Sequence, residues 1–152
     1  MTPVRRNELV LANRQRLRRL SLSAIRELIT TLLKRLRRTG EIGFHFVNSA
    51  EMARINWQFL QHEGSTDIIT FDHGSELRHL RGECYICIGE AIKQAVEWQT
   101  TWSEELGRYI LHGLLHLAGY DDIDPMDRRA MKRRENALTI EIIHPRHDRL
   151  GR

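Results

Sequence analysis

The segment Leu111 to Asp122, LHGLLHLAGYDD, constrains this chain more than any other stretch of it. His112 and His116 stand four residues apart. On an α-helix that spacing puts both imidazoles on one face, about 6 Å apart along the axis. Gly119 falls where such a helix ends, because glycine accepts the left-handed conformation beyond the last turn. The chain can then turn back and bring Asp122 to the same point. Two imidazoles and one carboxylate make a three-ligand zinc site with its fourth position open, as a catalytic zinc requires. The competing reading is a pair of histidines within an apolar core helix. The joint occurrence of His-x3-His, a helix-ending glycine and a downstream aspartate favours the metal. Zinc peptidases with this spacing carry Glu directly after the first His as general base. Gly113 stands there, which argues against peptide hydrolysis.

The same block, HGLLHLAGYDD, resembles the signature H-G-x-L-H-x-x-G-Y-D-H of the YbeY-type metallo-endoribonucleases, the bacterial ribosomal RNA maturation factors. Only the last position differs: Asp122 replaces the His that is the family's third zinc ligand. Two upstream blocks are also similar. Asn56 to Phe71, NWQFLQHEGSTDIITF, resembles N-x-x-Y-R…P-T-D-V-L-S-F, and Gly82 to Ala91, GECYICIGEA, resembles G-D-I-x-I-S…A. The family's Arg after the aromatic residue is Leu60 here, and its Pro before Thr-Asp is Ser65. That Arg is thought to serve RNA binding or catalysis. The resemblance spans roughly residues 8–140 and implies one zinc ion per chain, held by His112, His116 and Asp122, with the two histidines also catalytic.

It further implies that Thr66 and Asp67 lie near the metal, orienting ligands or substrate; ordinary turn chemistry explains the same residues equally well. Asn56 is implied to stand behind the ligands, against the reading of a solvated helix residue. Asp121, the family's own Asp before the final ligand, is structural or supports the ligands. His73, in a polar loop, is a surface residue or a replacement ligand. Replacing a neutral third His by Asp122 lowers the site charge from +2 to +1, so a bound zinc polarises water less and attracts a phosphodiester less. Hydrogen-bond donors to Asp122 can recover part of this.

At 152 residues the chain fits one domain with a real core, 1–152. No apolar run approaches the ~20 residues of a membrane span. Arg5 and Arg6 are not followed by a signal-peptide core, so a cytoplasmic location is expected. Cys84 and Cys87 lie in a β-branched and aromatic run that reads as a strand. Three residues apart, they point to opposite faces and share neither a metal nor a disulfide.

The net charge of +4 hides an asymmetry: residues 1–38 carry eleven Arg or Lys against Glu8 and Glu27. A basic end on an otherwise acidic protein suggests a polyanion partner; the alternative is a merely solvated face. Arg14, Arg16, Arg18, Arg19, Arg26, Arg35, Arg37 and Arg38 are the candidate RNA contacts.

Residues 1–7 read as a loose end. A first strand is expected within 8–17. A helix capped by Ser21 or Ser23 follows to about Arg38, its apolar Ile25, Leu28, Ile29, Leu32, Leu33 and Leu36 at helical spacing. Thr39-Gly40 ends it. A strand over 42–47 precedes a helix capped by Ser49 and running to about Gln61, then a loop, a short strand over 67–71, a polar loop over 73–81 and a strand over 83–88. A helix covers 89–99. Thr101-x-x-Glu104 is a capping box for the helix carrying both histidines, residues 101–118. Asp124 caps a last helix with Pro125 at its first position, running to about Ile143. Residues 144–152 read as a disordered or loosely docked tail. The order β-α-β-α-β-β-α-α-α gives one α/β domain: a small mixed sheet packed by helices, with the zinc site at the end of a central helix.

The function expected is a zinc-dependent, single-strand-acting endoribonuclease of ribosomal RNA maturation and ribosome quality control, working on the small subunit or its precursors and on no membrane. The alternatives are a catalytically weakened ribosome- or RNA-binding factor of the same fold and a zinc hydrolase acting on another substrate.

Overall fold

In the computed structural model, which describes residues 5–152, four strands form one mixed sheet in the order β1-β2-β4-β3. These are β1 (Glu8–Asn13), β2 (Thr39–Val47), β3 (Ile68–Asp72) and β4 (His79–Cys87). β1 and β4 both run parallel to β2, and β3 runs antiparallel to β4 at the edge. Five helices complete the fold: α1 (Leu22–Arg35), α2 (Ser49–Leu60), α3 (Ile88–Trp98), α4 (Trp102–Leu117) and α5 (Pro125–Leu138). The expected element order and fold class are those observed.

Strand alternation divides the molecule into two cores. Ile42, Phe44 and Phe46 of β2 join Leu80, Cys84 and Ile86 of β4 in the main cluster with α1 and α4. Val47, Ile69 and Cys87 lie in the second, against Met52 and Ile55 of α2. Cys84 and Cys87 therefore fall in different cores, both as free thiols.

Helix α4 is the centre. Leu106, Ile110, Leu111, Leu114 and Leu115 are fully buried, so the helix is packed on several faces. Thr101 caps it, its hydroxyl accepting from the Glu104 N–H. Only that half of the expected capping box forms, because the Glu104 carboxylate instead accepts from His144 Nδ1 at 2.9 Å. Gly113 allows α4 to lie close on the sheet: a Cβ there would stand 2.7 Å from Cys84 Sγ and 3.0 Å from Ile68 Cδ1.

Several boundaries differ from expectation. The first strand stops at Asn13 because Gln15 turns inward, its side-chain Oε1 accepting from the N–H groups of Leu17 and Arg18. α1 stops at Arg35, and Arg37 takes the left-handed conformation at φ 57°, so the basic run does not extend the helix. Thr39-Gly40 opens β2 rather than a loop, paired to His79 and Leu80. The same pairing draws residues 79–81 out of the expected loop into β4. The last helix passes after Leu138 into a π-helical turn, Thr139–Ile143, that buries Ile142 and Ile143.

Residues 144–152, read as a loose tail, are docked. Leu150 is buried, Gly151 bridges to Leu20, and the Ser21 N–H donates to the Leu150 carbonyl. His147 Nδ1 lies 2.9 Å from Ser103 Oγ at the start of α4. The loose end expected at residues 1–7 falls partly outside the described residues.

Candidate metal centre

The last two turns of α4 present His112 and His116 beside β3, and the chain reverses at Gly119, φ 100°, into the loop that carries Asp122. Asp124 then caps α5, accepting from the Met126 N–H at 2.9 Å, with Pro125 at the first helical position. Arg128 Nε donates to the Asp122 carbonyl at 3.1 Å, tying the loop to the start of α5.

His112 Nε2 and His116 Nε2 are 3.1 Å apart, and Asp122 Oδ2 lies 3.9 Å from the first and 3.6 Å from the second. Zinc bonds of ~2.0–2.2 Å in a tetrahedron give ligand–ligand edges of roughly 3.3–3.6 Å. The three donors therefore fit one small divalent cation in both chemistry and span. All three side chains are partly exposed, so the face opposite them is reachable.

Behind His112 stands Glu135 of α5, whose Oε2 lies 2.9 Å from Nδ1. A carboxylate can only accept, so the proton sits on Nδ1 and the Nε2 lone pair faces the other two donors. This carboxylate–histidine arrangement fixes the ring and raises its basicity. Burial pulls the His112 pKa down, but the hydrogen bond and charge of Glu135, helped by Asp67 and Asp122, outweigh it and leave the pKa raised. At His116 burial and the neighbouring His112 charge prevail over Asp122 and Asp121, and the pKa is lowered.

Glu135 was not singled out from sequence. The signal was a carboxylate at an inward position of α5, four residues after buried Met131 and three before buried Leu138. An acidic side chain there is rare unless it has a partner.

Asp67 is drawn to the centre. Its Oδ1 accepts from the Ile68 N–H at 2.8 Å and the Thr66 hydroxyl at 3.2 Å, and its side chain borders both cavities that reach His112. Thr66 thus acts through Asp67. Asn56 is buried rather than solvated, and its amide donates to the Gly64 carbonyl at 3.0 Å, pinning the loop that leads to Thr66. Asp121 Oδ1 accepts from the Ile123 N–H at 2.9 Å, a turn contact. His73 is engaged elsewhere, 3.0 Å from Glu83, and the three-donor group does not include it.

The N-terminal arginines lie apart from this centre. The β1 edge stands three strand spacings, roughly 14 Å, from β3. Arg14 pairs with Glu51 and Arg35 with Glu141. Arg26 and Arg38 donate to the Leu9 and Leu36 carbonyls, and Arg18 lies over the Trp102 ring. Arg16, Arg19 and Arg37 are exposed with no ion pair among the described residues. None of the eight borders either cavity at the metal centre.

Comparisons with known proteins identify the family and the fold. The family model described as Endoribonuclease YbeY matches residues 10–142. The Endoribonuclease YbeY of Parabacteroides distasonis is 39% identical over 105 residues, which cover 68% of this chain and 73% of that one. That of Chlorobium luteolum is 40% identical over 102 residues, 67% of this chain and 74% of the relative. The solution structure of TM1509 from Thermotoga maritima shares the fold, with TM-score 0.67, 23% identity and 88% of each chain covered.

Proposed function

The chain belongs to the Endoribonuclease YbeY family, and from that premise we propose that it is a zinc-dependent endoribonuclease that cuts single-stranded RNA in ribosomal RNA maturation and ribosome quality control. The observation that carries the reading is the convergence of His112, His116 and Asp122 on one point at the junction of two cavities of about 590 and 540 Å³.

His112, His116 and Asp122 would hold the metal. A zinc ion so held supplies Lewis acidity and positive charge for a scissile phosphate. Glu135 keeps His112 in the tautomer that binds, and the Gly119 turn sets Asp122 against both rings. Asp67 has one oxygen committed to Ile68 and Thr66, which leaves Oδ2 to accept a hydrogen bond, or a proton, from substrate or water at the centre. With Asp122 as third ligand the centre carries a net +1 charge. Cations around the larger cavity, Arg108, Arg128 and Lys132, restore attraction for a polyanion. The exposed Arg16, Arg19 and Arg37 would extend the contact to flanking RNA or to the small ribosomal subunit. Among the described residues no helix is long and apolar enough to cross a membrane; the cytoplasm is the proposed place of action.

A second reading is kept for one observation. Leu60, 41% exposed, stands where the family signature has Arg, so the chain is alternatively a weakened RNA-binding factor of the same fold. Cleavage of an end-labelled single-stranded RNA oligomer separates the two. The expected result is cutting that stops with a chelator and returns with added zinc, while a duplex of the same sequence survives. Tight RNA binding without cutting at any zinc level establishes the second reading.

A further inference from the structure

The larger cavity at the metal centre, about 590 Å³, lies within the ~300–1,000 Å³ of small-molecule sites and is lined by chemistry that the metal centre does not use. Three helices each give it one face: Gln94 and Trp98 of α3, Glu105 and Tyr109 of α4, Lys132 and Asn136 of α5. The two members of each pair are four residues apart, one helical turn. From His112 back to Glu105 the cavity follows α4 for about 10 Å.

Its polar groups are graded by depth. At depth are Tyr109, 6% exposed, and Glu105, 7% exposed. The Glu105 carboxylate accepts from the Thr100 hydroxyl at 2.7 Å through one oxygen. The Tyr109 hydroxyl is buried with no hydrogen-bond partner among the described residues. Buried tyrosine hydroxyls ordinarily find a partner, because leaving one unpaired is costly. At the mouth stands Trp98, 65% exposed, its indole N–H donating to Gln94 Oε1 at 2.6 Å so that the ring is held. Arg128 and Lys132 are exposed on the rim.

We propose that this cavity is a nucleobase site for the RNA strand, taking the base next to the scissile phosphate. The inference rests on the RNA endonuclease reading above. Cations outside, an aromatic ring at the mouth and polar groups within match a nucleotide whose phosphate stays at the rim. Trp98 stacks on the base, and Tyr109 and Glu105 meet its edge. A buried carboxylate repels an anionic group entering first, so the base enters and the phosphate does not. A carboxylate only accepts hydrogen bonds; uracil offers it a single N3–H flanked by two carbonyl oxygens that repel the charge, whereas an exocyclic amino group offers two donors, so the site favours bases carrying one over uracil.

The test is fluorescence anisotropy of end-labelled A, C and U oligomers on zinc-loaded protein, read before detectable cleavage. The parent is expected to bind A and C oligomers more tightly than U. Trp98→Ala should weaken all three by roughly five- to hundredfold, the range for losing one base stack. Tyr109→Phe, which removes only the hydroxyl, should narrow the difference between bases while zinc content and melting temperature stay those of the parent. Trp57→Ala, an exposed tryptophan on α2 away from the cavity, should keep parental affinity. Equal binding of all oligomers by the parent, parental affinity in Trp98→Ala, or an equal loss in Trp57→Ala overturns the proposal. These readouts need no cleavage. A parent that cuts RNA but fails them leaves the endonuclease reading standing, whereas a parent that binds with the expected pattern but never cuts removes that reading and keeps the cavity as a base site.

Discussion

Replacing Glu135 by Gln keeps the volume of the side chain and removes its charge. The Glu135 carboxylate lies 2.9 Å from His112 Nδ1, with its side chain 18% exposed. Adding the ~2.2 Å across an imidazole, unit positive charge delivered at Nε2 sits roughly 5 Å away, worth about 1.7 kcal/mol at an effective dielectric of ~40. That is roughly fifteenfold in affinity for a cation, within the ten- to hundredfold range for removing such support. Arg108, 3.5 Å from Glu135, loses its counter-charge in the variant and pushes the loss toward the upper end. Zinc affinity at neutral pH is measured by competition with a chromophoric chelator. The pH dependence adds a second signature in metal-free protein. The His112 pKa is raised in the folded state, so its contribution to stability is complete below the ordinary histidine value and fades as pH rises through the raised one. The stability gap between parent and Glu135→Gln should therefore be widest in mild acid and close on the alkaline side. Parental zinc affinity in the variant, or a gap that widens with pH, refutes the reasoning.

Asp122→Ala should lower zinc content below the parental ~1 per chain while Asp122→His keeps or raises it; elemental analysis showing full occupancy in Asp122→Ala would remove Asp122 as a ligand. Gly113→Ala forces a methyl against Cys84 Sγ at 2.7 Å and should cost about 1–3 kcal/mol in chemical denaturation, and unchanged stability would contradict the close packing of α4 on the sheet. Burial pushes the Cys84 thiol up to about 12, so iodoacetamide at pH ~8 should leave it unmodified in the native protein, and rapid native labelling seen by mass spectrometry would show that the core opens. If Arg16 and Arg19 touch phosphates, replacing both by Gln should flatten the salt dependence of single-stranded RNA binding by about 1.4 in log–log slope without changing zinc content; parallel slopes at equal affinity leave them as solvated surface.

What could be read in advance was what local chemistry decides. The His-x3-His spacing, the Gly119 reversal and the caps at Thr101 and Asp124 each rest on a few neighbouring residues and appear where expected, Ser21 is the one of two candidate caps that forms, and the cap expected at Ser49 falls one residue earlier, on Asn48. The starts of β2 and β4 were not legible, because Thr39 and His79 become strand by pairing with each other across forty residues. Leu150 is a single apolar residue in a charged run, and no periodicity announces its burial. Glu135 escaped for a similar reason: its partner is on another helix, and only its inward position on α5 hinted at one. The arginine run was plain in composition, yet composition carries no direction, and the fold places none of the eight candidate arginines at the cavities of the metal centre.

The fit of Gly113 against the sheet bears on what evolution can reach from this scaffold. A peptidase of the His-Glu-x-x-His kind needs a carboxylate at that position, one codon change from glycine for some glycine codons. Here the substituent would be driven into Cys84 and Ile68, so the first step would damage the fold before any water was activated. The His-x3-His spacing on a helix is one that zinc peptidases share. The packing behind the two histidines closes the shortest mutational path to such an enzyme, so a base for hydrolysis has to come from a position other than 113.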